Sequence, residues 1–309
     1  MGITPHSPHD SAAEGTRGAN RGGTRRSPRR TGSATRSFSS TLRALDLVAG
    51  SGARVSVRVD DLDRGTPVLQ GDDNEMLPVG GIGMVPLLIE VAAAFEDGRI
   101  DPLEIVERSA VDAVGVAGIW RHLKAPALPL VDVAVLAAAT GDALAANVLL
   151  ARVGLPAVRA RFDSLGMARS ALLDRFRDTR GLDDAPQVAL ASARELSSLF
   201  SALVNSRAVT PGVSAQVAEW LSLNHDLSLV ASATGLDPFA HEHDEHDLLF
   251  VNKTGRETGV RAEAGVLAGP RAGVSYALIV AFDDLSITHR LRAHEAFRTL
   301  GVELMEYVF

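Results

Sequence analysis

The order of the periodic segments constrains the fold of this chain of 309 residues more than any other feature of its sequence. Residues 54–59 alternate between polar and apolar side chains, which is typical of a half-buried strand. Helical periodicity then extends from about residue 101 to residue 223, and three strand-like segments and a helical segment follow. We therefore predict an α/β fold of the α+β kind, in which an antiparallel sheet flanked by helices is assembled from both ends of the chain around an all-helical region.

Apolar spacing and Gly-containing turns predict where single elements begin and end. We predict helices over residues 131–139, 142–153, 193–204 and 213–223. Besides the strand at 54–59, we predict strands over residues 248–253, 260–267 and 274–282. The predicted α/β part therefore comprises residues 41–80 and 248–309, and the predicted helical part comprises residues 81–247.

The first 40 residues differ from the rest because Gly, Ser, Thr, Pro and Arg dominate them. Such a composition cannot bury a core, so we predict a disordered tail over residues 1–40 and one folded domain over residues 41–309. A twin-arginine export signal would need an apolar stretch after the arginines, and the sequence offers a broken one near residues 42–48. We therefore expect a cytoplasmic protein.

Charge and composition exclude several classes of partner and site. The net charge of −7 gives no basis for nucleic-acid binding. No run approaches the roughly 20 apolar residues that span a bilayer, so we expect no membrane partner. The chain has no cysteine, which excludes disulfides and thiolate chemistry. We predict no cofactor, and the sequence does not determine the oligomeric state.

Four short motifs lie along this order of elements. They are residues 79–86 (VGGIGMVP), 142–147 (DALAAN), 174–176 (DRF) and 252–255 (NKTG). Arg261 follows in the next strand-like segment. This order resembles that of the class A serine β-lactamases, a branch of the penicillin-recognising serine hydrolases, over roughly residues 42–309. The resemblance implies a β-lactamase/transpeptidase-like fold.

The resemblance also implies where the catalytic groups of the family would lie, and this chain has other residues at those positions. The nucleophilic serine corresponds to Gly81, and the lysine that accepts its proton corresponds to Met84. The serine of the second motif corresponds to Gly141, its asparagine to Ala143. The deacylation glutamate corresponds to Arg177. Because glycine has no side chain to acylate and a thioether does not titrate, we predict a pseudoenzyme towards β-lactams.

The lysine content tests this prediction independently of the alignment. The chain has two lysines, Lys124 and Lys253, and the residues three positions before them are Arg121 and Phe250. A Ser-x-x-Lys motif is therefore absent from the whole sequence. Loss of the nucleophile and base of a serine hydrolase costs on the order of a millionfold in rate, so any remaining hydrolysis would be incidental. Whether the protein has another enzymatic activity stays open at this stage.

The fourth motif keeps the residues that, by resemblance, bind the carboxylate of a substrate. These are Lys253, Thr254 and Gly255 in one strand and Arg261 in the next. A cation, a hydroxyl and a guanidinium fork suit the two oxygens of a carboxylate. Our leading hypothesis is therefore the binding of a carboxylate-bearing small molecule or peptide without turnover. As alternatives, Lys253 faces water, or Arg261 pairs across the strands with Glu263 or Glu257.

Two other functional classes remain. One is an enzyme that reuses the cleft predicted to lie between Gly81, Gly141, Arg177 and Lys253, with Asp142, Thr179, Arg177 and Lys253 as its acid–base candidates. The other is a plain serine β-lactamase, which the missing residues contradict. Arg177 either is an ordinary loop charge or brings a positive charge into the cleft.

Three further polar features favour structural roles. Asp142 suits a buried hydrogen-bonding carboxylate, and Asn147 suits a brace for the loop that begins at residue 174. We interpret His225-Asp226 as a hydrogen-bonded pair at a helix end rather than a catalytic dyad. Residues 241–247 (HEHDEHD) resemble the metal signature of metallo-β-lactamases, but seven consecutive polar residues are more typical of an exposed loop, and we predict no metal site.

Overall fold

A computed structural model describes residues 38–115, 117–241, 247–284 and 286–309. The helices are α1 Ser39–Ala49, α2 Met84–Glu96, α3 Leu130–Thr140, α4 Ala143–Val153, α5 Leu155–Ser164, α6 Ala193–Val204, α7 Pro211–Ser222 and α8 Ile287–Val308. The strands are β1 Arg54–Asp61, β2 Pro67–Gly71, β3 Leu77–Pro78, β4 Ile105–Glu107, β5 Ala127–Pro129, β6 Ala171–Leu172, β7 Ala189–Ala191, β8 Leu249–Glu257, β9 Val260–Ala268 and β10 Gly273–Ala281.

The main sheet has five antiparallel strands in the order β2-β1-β10-β9-β8. Strand β1 pairs with β10 from Arg54 opposite Ala281 to Asp61 opposite Val274. The N-terminal strands are thereby joined to the C-terminal meander, which confirms the prediction that the sheet is assembled from both ends of the chain. The predicted antiparallel α+β architecture is confirmed as well.

Each face of the sheet packs on a separate hydrophobic core because side chains alternate along a strand. In β10, Ala277 and Ile279 face the first core, which is formed with the helical region. Leu278 and Val280 face the second core, which is formed with α1 and α8. Helices cover both faces of β10, which explains why this strand is apolar nearly throughout. Helix α2 is buried along residues 84–94 because it lies inside the first core and is apolar around its circumference.

The short turn Gly80–Gly83 leads into α2 and packs directly on β8. A Cβ atom at Gly255 of β8 would lie 1.9 Å from the carbonyl oxygen of Val79. A Cβ atom at Gly80, whose φ is +49°, would lie 2.7 Å from the carbonyl oxygen of Arg256. The two backbones are therefore in contact, and this contact positions the start of α2 against the edge of the sheet.

Several predictions differ from the structure. The region over residues 81–247 is not all-helical, because it contains the two-stranded sheet β4-β5 and, joined to β3, the strands β6 and β7. These strands have two or three residues each, too few for a local period to appear, and they form through long-range pairing. Strand β2 and helix α5 were not predicted. Helix α1 begins within the predicted tail, at Ser39, and residues 1–37 of that tail lie outside the described residues.

Among the described residues, no single helix combines the length and the apolar character needed to cross a membrane. The pair α4 and α5 meets that requirement in length and composition when taken together, across a bend of 89°.

The close packing of β8 makes Gly255 sensitive to substitution. Gly255→Ala should lower the free energy of unfolding by about 3 kcal/mol or more, because the added methyl group would overlap backbone that cannot move aside cheaply. Gly181→Ala is the control, since its Cβ would lie 3.6 Å from the Asp184 side chain and should change stability by less than about 0.5 kcal/mol. Urea unfolding of both variants measures the difference. Equal stability of the two variants would contradict the close contact between β8 and Val79.

Candidate functional site

The turn before α2 presents backbone where the resemblance places a nucleophile. A Cβ atom at Gly81 would lie 3.0 Å from the carbonyl oxygen of Thr254, so this position lies beside β8. The side chain of Met84 is buried in the first core and is 1% exposed. A thioether at this depth contributes packing and cannot accept a proton.

Lys253 lies in the interior between β8 and the end of α3. Its side chain is 1% exposed. Nζ donates to the carbonyl oxygens of Ala137 at 2.9 Å and Ala138 at 2.5 Å. A Cβ atom at Gly141 would lie 3.8 Å from Nζ, so Lys253 and Gly141 are together, as predicted. The alternative that Lys253 faces water is wrong, and its role as a ligand contact stays a prediction.

Burial lowers the pKa of Lys253 to about 7, and the charge of Asp226 opposes that effect in part. Carbonyl groups at a helix C-terminus carry partial negative charge and favour a cation. The last turn of α3 therefore compensates part of the desolvation of the amine. In this structure Lys253 braces α3 against β8.

Thr254 holds a carboxylate of the protein itself. Its Oγ1 donates to Oδ2 of Asp226 at 2.7 Å. Nη2 of Arg256 lies 3.1 Å from both carboxylate oxygens, and Oγ of Ser228 donates to Oδ1 at 2.7 Å. Burial disfavours the ionised form, but the hydrogen bonds from Ser228 and Thr254 and the charge of Arg256 outweigh it, so the pKa of Asp226 lies below its usual value. Asp226 is therefore bound as an ionised carboxylate.

This contact corrects the interpretation of His225-Asp226 as a local pair at a helix end. The partners of Asp226 on β8 lie 28 and 30 residues away in sequence. Arg256 was also missed, although a signal existed: it stands two positions after Thr254, and strand alternation places both on one face. The pairing with Asp226 has no local signal.

Arg261 lies directly opposite Arg256 in the ladder between β8 and β9. Its Nη1 donates to the carbonyl oxygens of Val260 at 2.7 Å and Glu257 at 3.4 Å. Its buried Nε has no hydrogen-bond partner among the described residues. The alternative of a side-chain ion pair with Glu263 or Glu257 is wrong: Arg261 donates to backbone carbonyls, and Glu263 accepts from Asn252, Tyr276 and the backbone of Val230.

Arg256 and Arg261 form a cationic cluster with Arg290 of α8, and His294 of α8 lies beside it. Burial is the largest cause that lowers the pKa of Arg261, and the charges of Arg256 and Arg290 lower it further, while Asp226 opposes them. Burial and then the charges of Arg261 and Arg256 also lower the pKa of His294. The repulsion between the guanidinium groups favours an anion beside them.

Asp142 and Asn147 have the predicted structural roles. Oδ1 of Asp142 accepts from the backbone of Ala145 and caps α4, while Oδ2 accepts from the backbone of Ile119 and Trp120, each at 2.8 Å. Asn147 exchanges two hydrogen bonds with the backbone of Phe176, at 2.9 and 2.8 Å. The buried Asp142 carboxylate is thus bound to backbone amides, which leaves it as a fold determinant rather than an acid–base group.

The sequence comparison determines the family of this chain. Residues 37–308 match the Beta-lactamase enzyme family. The chain belongs to this family. The comparison with curated proteins gave no match.

Solved structures with the same fold include enzymes that react with β-lactams. A β-lactamase from Sphaerobacter thermophilus has a TM-score of 0.76 and 21% identity, over 88% of this chain and 97% of that one. A mutant of PBP-A, solved as an acyl-enzyme complex with penicillin G, has a TM-score of 0.71 and 17% identity, over 86% and 95%. A β-lactamase from Xanthomonas campestris pv. campestris has a TM-score of 0.71 and 14% identity, over 88% and 98%. At these identities the likeness concerns the fold.

In this β-lactamase family member, Arg177 is engaged within its own loop. Nε donates to Asp174 at 2.9 Å, and Nη2 lies 3.0 Å from Asp184. The hydrogen bond with Asp174 is the largest cause that raises the pKa of Arg177. The interpretation as an ordinary loop charge is therefore the better one, because two carboxylates already compensate the guanidinium.

The described part of this β-lactamase family member contains no cluster of three or more His, Asp or Glu side chains able to hold a metal ion. Most of the motif over residues 241–247 lies outside the described residues, since residues 242–246 are not among them. The prediction of no metal there stays a prediction.

The buried amine of Lys253 predicts a pH-dependent stability. Between about pH 7 and pH 10.5 the unfolded chain binds a proton at this lysine and the folded chain does not. Stability from this group therefore rises with pH over that range, by at most about 1.4 kcal/mol per pH unit. Lys253→Met should reduce the slope of unfolding free energy against pH between pH 7 and 9, measured by urea unfolding.

The exposed Lys124 provides the matched control, since it is the other lysine of the chain. Lys124→Met should leave the slope unchanged. The same slope in both variants would mean that Lys253 titrates as an ordinary exposed lysine, contrary to its burial.

Proposed function

We propose that this member of the β-lactamase enzyme family binds a carboxylate-bearing small molecule or peptide and does not hydrolyse β-lactams by the serine route. The observation that supports this proposal most strongly is the carboxylate of Asp226 on Thr254 and Arg256. Of the donors that resemblance assigns to a substrate carboxylate, Thr254 binds this one, and Arg256 provides the second donor from β8.

The proposed lack of hydrolysis rests on the start of α2. Gly81 offers no side chain to acylate, and Met84 offers no titratable group in place of the expected lysine. The amine of Lys253 donates to two carbonyl groups of α3. An acyl-enzyme at this position would therefore have neither its nucleophile nor the base that activates it.

The proposed binding rests on the excess of positive charge in the cationic cluster. After burial, the guanidinium charges of Arg256 and Arg290 lower the pKa of Arg261, and the carboxylate of Asp226 opposes them. The side chain of Arg256 is 53% exposed, so an anion from solvent has access to it. A guanidinium and a hydroxyl bind a carboxylate through short charge-assisted hydrogen bonds.

The contacts of the acid–base candidates do not support the hypothesis of an enzyme that reuses the cleft with other catalytic groups. The contacts of Asp142 are with backbone amides, those of Arg177 are with carboxylates of its loop, and Lys253 donates into α3. Cytoplasmic location and the absence of nucleic-acid and membrane partners stay predictions from the sequence.

Penicillin G tests the absence of acyl transfer. After incubation with a large excess of penicillin G, the intact mass of the protein should be unchanged, because no activated hydroxyl is present at Gly81. An active class A β-lactamase treated in parallel shows that the assay detects acylation or turnover. A stable adduct on this protein would contradict the alignment of Gly81 with the nucleophile.

Paired ligands test the carboxylate site. N-acetyl-Ala-Ala should bind more tightly than its C-terminal amide in calorimetric titration, because the amide lacks the charge that Arg256 and Arg261 recognise. Arg256→Gln and Arg261→Gln should each weaken binding of the acid about tenfold or more. Arg43→Gln, which changes an exposed arginine of α1 outside the cluster, is the control. Equal affinity for acid and amide would overturn the proposed function.

A further inference from the structure

The carboxylate of Asp226 occupies the donors to which the proposed function assigns a ligand. Besides the contacts with Thr254 and Arg256, it accepts from the hydroxyl and the backbone amide of Ser228. One ligand carboxylate would form the same bonds with Thr254 and Arg256. Two carboxylates cannot share one threonine hydroxyl donor, so a ligand and Asp226 compete for Thr254.

The backbone on either side of Asp226 is fixed. On one side, Asn224 donates to the side chain of Asn252 at 2.7 Å. On the other side, the backbone amide of Val230 donates to Glu263 at 2.7 Å. Asn224, Asn252 and Glu263 are buried. A ligand that displaced the whole loop that carries Asp226 after α7 would break this buried network. Breaking the network costs more free energy than rotating one side chain.

A cavity beside the loop gives the displaced side chain room. It has a volume of about 380 Å³ and is lined in part by His225, Asp226, Ser228 and Gly235. Its walls include polar groups, so a carboxylate turned into it would remain solvated. Rotation of Asp226 thus exchanges its bonds with β8 for contacts in this cavity.

We propose that Asp226 is a built-in competitor: it occupies Thr254 and Arg256 in the unliganded protein, and a carboxylate ligand binds after Asp226 rotates away. This inference rests on the proposed function and adds a residue that sets the affinity of the site. The apparent affinity of a ligand falls by the fraction of molecules in which the donors are free. Removal of the competing carboxylate should therefore tighten binding.

The first test compares charge-neutralising substitutions on the full chain. Asp226→Asn should increase the affinity for N-acetyl-Ala-Ala at least tenfold in calorimetric titration. Glu257→Gln is the matched control, because it removes the same charge from the residue next to Arg256 and leaves the bonds of Asp226 intact. Equal gains in both variants, no gain, or a loss of affinity in Asp226→Asn would overturn the inference.

A second test does not depend on the identity of the natural ligand. In Asp226→Ala, sodium acetate should raise the thermal midpoint relative to equimolar sodium chloride, because acetate replaces the missing carboxylate on Thr254 and Arg256. The wild type should show a smaller difference, because Asp226 competes with acetate for the same donors. A wild type stabilised as much as Asp226→Ala, or an Asp226→Ala protein indifferent to acetate, would overturn the inference.

The two proposals fail in different ways. If the wild type distinguishes the acid from the amide while Asp226→Asn binds no more tightly, the inference fails and the proposed function stands. If neither the wild type nor Asp226→Asn distinguishes the acid from the amide, the proposed function fails. The acetate experiment then still decides whether the donors released by Asp226 accept a carboxylate.

Discussion

The rest of the site depends on one constraint, the contact between the backbone of the turn Gly80–Gly83 and the backbone of β8. Gly255 lets the carbonyl group of Val79 approach so closely that any side chain there would overlap it. This approach places Gly81 beside the carbonyl group of Thr254 and joins the first core to the edge of the main sheet. The start of α2 is thereby held against β8 at a residue that has no side chain.

Charges on the two faces of β8 have different environments. On the face towards α3, the amine of Lys253 is buried and its pKa falls to about 7. On the opposite face, Arg256 is accessible and Asp226 keeps a lowered pKa because its hydrogen bonds favour the ionised form. Lys253 therefore joins α3 to β8, while Thr254 and Arg256 bind the carboxylate of Asp226. Alternation along one strand thus places a buried cation on one face and an accessible cation on the other.

Membership of the β-lactamase enzyme family and the similar solved structures account for the fold. Gly81 and Met84 stand where resemblance places the family's nucleophile and lysine. Asp142 caps α4, and Asn147 holds the backbone of Phe176. The residues that hold loops and the residues that react are different sets, so the fold by itself does not decide the chemistry.

The sequence by itself determined the antiparallel sheet drawn from both chain ends and most of the main helices, because side-chain periodicity is a local property. Its motifs predicted the roles of Asp142 and Asn147 through the resemblance, and its two lysines excluded a Ser-x-x-Lys motif. It did not reveal the short strands β4 to β7, whose pairing is long-range. Nor did it place Asp226 on Thr254, which lies 28 residues further along the chain. Only the tertiary structure decided that a carboxylate of the protein meets these donors, because that meeting depends on how the loop after α7 packs against β8.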